Sequence, residues 1–232
     1  MFERSKASDD SSNAPADCPV RDGTRFAALW TRTVPGAPAV AAMRFARLAQ
    51  LYGEPHRRYH TLDHVGHCLD EFDRVATLLD DPDAVEMALW FHDAIYTPGA
   101  RDNEWRSAEL FRQWSDGQAD AAFRQRVRDL IMVTTHRGPP RQGDERFMVD
   151  IDLSGFGQPW DEFERDGRLL RAEYAEMADE EYYPGQLRFL LSLQNRPTFF
   201  FAAFFQQRYE RTARANTRRL VESLLARGYG GA

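Results

Sequence analysis

Lysine is almost missing from this chain: Lys6 stands alone, and the other 29 of its 30 basic residues are arginine. Arginine's planar fork suits phosphate, but so uniform a replacement reads as coding bias and carries no functional weight. Cysteine is scarce too. Cys18 and Cys68 are too few for a disulfide scaffold and fit a reducing, cytoplasmic setting. The longest apolar run, Pro197 to Phe205, is far too short to span a bilayer. No basic stretch followed by an apolar segment marks a secretory signal. Positive charge is not in excess either, since 30 basic against 36 acidic residues leave −6. That balance argues against a binder of nucleic-acid polymers, which needs a basic surface. A small phosphorylated substrate, sensing only one cleft, remains compatible with it.

What is present suits one folded unit. The chain has 232 residues, 43% of them hydrophobic, enough for a single domain with an appendage. Residues 1–23 are rich in Ser, Asp, Ala and Pro and read as a disordered tail. Residues 24–232 read as the domain. Apolar positions recur there at helical spacing, predicting helices near Thr24–Trp30, Pro38–Leu51, Thr61–Leu79, Pro82–Ile95, Asn103–Trp114 and Ala119–Thr135. Further helices are predicted near Phe147–Leu153, Trp160–Ala178, Gly185–Leu193 and Thr198–Arg227. Arg146–Ile151 is one of few tracts that suit a strand. The stretch from Pro82 is apolar nearly all round, the mark of a central buried helix. The expected fold is an all-α, single-domain multi-helix bundle.

Six histidines occur, and four of them, His56, His60, His64 and His67, fall close together. His60 and His64 are four apart and share a face if helical. His92 and Asp93 sit inside the apolar segment Trp90-Phe91-His92-Asp93-Ala94-Ile95. Burying such a pair is costly unless something satisfies it, and a divalent ion accepts both imidazole and carboxylate. A lone His–Asp pair is more often a hydrogen-bonded core pair, and a lone histidine-rich stretch a solvated face. The order of the motifs tips the reading: a His pair, a buried His–Asp, then Val149-Asp150-Ile151-Asp152-Leu153.

That order resembles the HD superfamily of metal-dependent phosphohydrolases, and more narrowly its bacterial predicted-phosphohydrolase group. The matching segments include Glu54 to His64, Ala88 to Tyr96, Asp102 to Ala108, Asp150 to Leu153, Arg171 to Tyr174 and Ala213 to Asn216. Tyr59-His60-Thr61-Leu62-Asp63-His64 is also similar to an element of cyclic-nucleotide phosphodiesterases. The resemblance implies an HD-type bundle with His64, His92, Asp93 and Asp152 as metal ligands and His60 as proton donor. Asp150 remains an alternative to Asp152. Glu104 is then expected to orient water, and Asn103, Arg106 and His136 to contact substrate. One divalent transition ion (Mn, Co, Ni, Zn or Fe) is implied, because His136 is the only further histidine before the last aspartate.

The implied activity is hydrolysis of a phosphate ester, more readily a monoester than a diester, on a small metabolite such as a nucleotide. A diiron oxygenase on the same scaffold and a non-catalytic, metal-stabilised interaction domain are the competing readings. The phenylalanines between Phe199 and Phe205 read as core or as the face of a homo-oligomer.

Overall fold

A computed structural model describes residues 23–230, apart from Ala37 and Gln142. The expected tail, Gly23 excepted, and Cys18 lie outside the described residues. Among those described there are ten α-helices, two short 3-10 segments and no strand. The all-α reading therefore holds, and Arg146–Ile151 belongs to a helix. The helices are α1 (Thr24–Thr33), α2 (Pro38–Tyr52), α3 (Leu62–Val75), α4 (Pro82–Phe91) and α5 (Asn103–Ser115). They continue as α6 (Ala121–Val133), α7 (Asp144–Asp152), α8 (Trp160–Glu173), α9 (Asp179–Gln194) and α10 (Ala203–Ala226). None is long and apolar enough to cross a membrane.

The centre is α4, whose residues from Ala84 to Phe91 are all buried. It packs against α1, α3 and α6, as its all-round apolar surface requires. Phe26, Phe45 and Trp90 cluster around its end with mostly edge-on or tilted rings. Pro82 occupies the first turn, and Asp81 caps the helix by accepting the N–H of Ala84 at 3.1 Å. The Asp81 carboxylate also pairs with Arg126 of α6. Asp81→Ala should therefore lower stability by about 1 kcal/mol, as cap removal generally does, read from chemical denaturation.

Several helix ends differ from the sequence reading, and at three of them side chains capture backbone groups. First, α4 stops at Phe91 instead of running to Ile95. Arg57 donates to the carbonyls of Asp93 and Ala94, Ser107 exchanges bonds with Ile95, and Asn103 does so with Thr97. Second, α8 ends at Glu173 instead of Ala178. Arg171 donates to the carbonyls of Tyr174 and Met177 and to Asp179, and so folds the chain into α9. Third, α10 begins at Ala203 instead of Thr198. The N–H groups of Phe199 and Phe200 go to the Glu210 carboxylate, and those of Phe201 and Ala202 to Asp150. Phe199, Phe200 and Phe205 are wholly buried in the core, with Phe201 and Phe204 packed against it.

Candidate metal centre

The end of α4, the start of α3 and the end of α7 converge on four donor atoms. His64 Nε2 lies 3.3 Å from His92 Nε2 and 3.6 Å from Asp93 Oδ2. It is 3.4 Å from Asp152 Oδ1. His92 Nε2 is 3.0 Å from Asp93 Oδ2 and 3.6 Å from Asp152 Oδ1. An ion with bonds of about 2.1 Å holds neighbouring donors roughly 3.0 to 3.4 Å apart, in octahedral or tetrahedral arrangement. The observed separations suit that requirement.

The hydrogen bonds around the donors suit it as well. His92 Nδ1 donates to the Leu89 carbonyl at 2.9 Å, so in the neutral ring the Nε2 lone pair faces the carboxylates. Lone pairs crowded this way call for a shared cation. Without an ion the arrangement depends on protons. Burial opposes charge on His92, but Asp93 and then Asp152 push its pKa well above the usual histidine range. Burial likewise disfavours the two carboxylates, yet the imidazoles around them hold both well below normal, His92 first for Asp93 and His136 first for Asp152. A dication could take the place of such protons.

Asp152, and not Asp150, enters this group. Asp150 is fully buried and spends its oxygens on the backbone N–H groups of Phe201 and Ala202 at 2.6–2.9 Å. Burial raises its pKa to about 7 against the pull of those N–H groups. One aspartate starts α10 and the other faces the imidazoles.

Cys68 is a member that the sequence reading missed. His64, Cys68, His92 and Asp152 each offer a ligand atom within 4.8 Å of one another, and this buried group could hold a metal ion. Cys68 Sγ lies 3.7 Å from His64 Nε2. Burial, with Asp152 and Asp93 adding to it, pushes the thiol pKa well up. Its signal was present in the spacing, one helical turn after His64 on α3.

The other predicted residues divide. His60 precedes α3, where Thr61 is the cap, so it does not share a helix face with His64 as expected. Its Nε2 nonetheless lies 4.0 Å from Asp93 Oδ2, and its ring stacks on Tyr96 at 4.2 Å. Burial opposes charge on His60, while Asp93 and Glu173 raise its pKa. His136 Nε2 bonds Asp152 Oδ2 at 3.0 Å. With φ of 51° it is the one non-glycine residue at positive φ among those described, a strain that elements around a site commonly hold. Glu104 lines the pocket over the donors, and burial, then Asp93, raises its pKa. Asn103 also lines it, but its amide is spent on Thr97. Arg106 does not line the pocket; its guanidinium lies 3.4 Å from Thr97 Oγ1.

Glu173 acquires a physical role that its place in the sequence did not disclose. One carboxylate oxygen accepts the successive N–H groups of Arg58, Tyr59 and His60 at 2.8, 2.8 and 2.9 Å. The other takes His60 Nδ1 at 2.6 Å. Arg57, itself buried, ties the same loop to the His–Asp turn through the carbonyls of His60 and Asp93. The pocket holds about 260 Å³. A larger cleft of about 630 Å³ shares Tyr59 and His64 with it but has none of His92, Asp93 or Asp152 in its wall.

No protein-family model, curated protein or solved structure matches the chain.

Proposed function

We propose that this protein is a metal-dependent phosphohydrolase that cleaves a phosphate ester of a small metabolite. The resemblance of its motifs to HD phosphohydrolases supports that reading, and the observation that carries it is the spacing of the four donors. Two imidazoles and two carboxylates converge at 3.0–3.6 Å, and His64, Asp93 and Asp152 among them line a pocket together with His60, Glu104 and His136.

His64, His92, Asp93 and Asp152 would hold one divalent transition ion: manganese, cobalt, nickel, zinc or iron. When bound, such an ion supplies a Lewis acid that acidifies water and offsets phosphoryl charge. The remaining roles belong to the chain. Glu173 accepts the His60 Nδ1–H and, with Asp93, favours the protonated ring, whose Nε2–H is then directed toward Asp93 and the pocket. From Nε2 a proton passes to the leaving alkoxide as the P–O bond breaks. Glu104 orients the attacking water and takes up its proton. His136 steadies Asp152 through its free oxygen, as supporting partners of ligands do.

The test is metal analysis of protein purified without added metal, followed by phosphate release from a panel of esters. About one ion per chain and release that is lost in His60→Ala are expected. A fully loaded protein that releases phosphate from no ester would sink the hydrolase reading. Two irons per chain would favour the oxygenase.

A further inference from the structure

The wall of the pocket over the four donors combines aromatic rings and carboxylates with three histidines, His60, His64 and His136. Tyr59, Tyr96, Phe156 and Phe189 supply the rings, and Asp93, Asp152 and Glu104 the carboxylates. None of the described lining residues is arginine or lysine, although the chain carries 30 basic residues. Arg137 helps keep Glu104 charged, but its guanidinium donates to the Arg101 carbonyl and is not part of the wall. Asp93 and Asp152 would balance a dication, and protonated His60 is already held by Glu173 and directed at the leaving oxygen, so no fixed positive charge remains for further anionic groups. Every extra phosphate or carboxylate on a ligand would meet like charge in a partly desolvated space.

Volume limits the ligand too. About 260 Å³ falls below the roughly 300 Å³ at which pockets for drug-sized ligands begin. Phe189 stands at the mouth with 36% of its surface exposed, in contact distance of His136 and Phe156. A flat apolar group entering there meets ring faces and edges on several sides.

We infer that this pocket takes a ligand with a single phosphoryl group borne by a small, uncharged, ring-containing group, and excludes polyanions. The inference rests on the phosphoryl group meeting the donor set, as proposed above, and it names the substrate class of that site. Nucleoside triphosphates and sugar bisphosphates fall outside the class.

Binding and turnover separate the two ideas. Calorimetric titration of the metal-loaded protein with methylphosphonate, phenylphosphonate and 4-carboxyphenylphosphonate reads the pocket without any hydrolysis. Phenylphosphonate should bind at least tenfold more tightly than each of the others. In Phe189→Ala, at a half-exposed position with little core to lose, its advantage over methylphosphonate should shrink at least threefold at unchanged metal content. Equal affinity for the phenyl and methyl compounds, or tighter binding of the carboxyphenyl compound, would overturn the inference. A preserved ring preference with no release from phenyl phosphate would leave the inference standing and defeat the hydrolase reading instead. Faster release from ATP than from phenyl phosphate would do the reverse.

Discussion

Asp152→Ala should strip the protein of bound metal, while Asp150→Ala should leave metal bound and weaken the fold. The two residues are two positions apart on α7 yet serve different neighbours. Asp152 Oδ1 lies 3.4 and 3.6 Å from the imidazole nitrogens of His64 and His92. Losing it removes a charged donor and also the partner of His136. Removing a residue that merely supports a ligand lowers metal affinity about 10–100-fold, so removing a donor should exceed about 100-fold. Asp150 instead accepts the N–H groups of Phe201 and Ala202. Left unpaired in the interior, such groups cost about 1–3 kcal/mol each. Elemental analysis per folded chain, beside urea denaturation, reads both effects. Metal lost equally in the two variants would mean that α7 acts only as a scaffold.

Glu173→Ala should cost more stability than any ordinary surface change and should also remove activity. The carboxylate gathers three consecutive backbone N–H groups and the His60 imidazole. At about 1–3 kcal/mol for each abandoned donor, and with incomplete additivity, the loss should total about 3–5 kcal/mol. Glu173→Gln keeps an oxygen for the loop and should recover part of that stability. It should not restore the rate, because a neutral amide holds the His60 proton less firmly.

Acid should act through the same contact. Burial disfavours the Glu173 carboxylate, but His60 and the loop N–H groups hold its pKa down at about 2, against 4.5 when unperturbed. A carboxyl depressed in the folded state stabilises above its unfolded pKa and loses that contribution as pH falls toward the folded one. A term on the order of 3 kcal/mol should therefore disappear between about pH 4.5 and 2. Glu173→Gln should flatten that part of the stability profile. An unchanged profile would mean that Glu173 does not anchor the loop.

How much of this was legible in the chain depends on whether the interaction is local. Helical periodicity revealed the bundle and the buried α4, because one face of a helix repeats every three to four residues. Histidine and aspartate in a strongly apolar setting flagged the donors, because burial without a partner is costly. Helix ends were misplaced where side chains captured the backbone: Arg57 at the His–Asp turn, Arg171 beyond α8, Asp150 and Glu210 before α10. Arg57 and Asp150 bind groups more than 35 residues away, so no window of sequence contains their signal, whereas Arg171 and Glu210 act within 11 residues. Cys68 sat in plain view at helical spacing from His64 but lacked a reason to be singled out.

By itself, then, the sequence determined the all-helical class, the central helix and the candidacy of His64 and His92 for holding a metal. Those follow from composition and period, which a chain carries locally. Only the tertiary structure decided between Asp150 and Asp152, withdrew Arg106 from the pocket and committed Asn103 to Thr97. Only it set Glu173 against a loop more than a hundred residues earlier. Those choices turn on which polar group reaches which partner, and burial, by making every unpaired group costly, settles them in three dimensions.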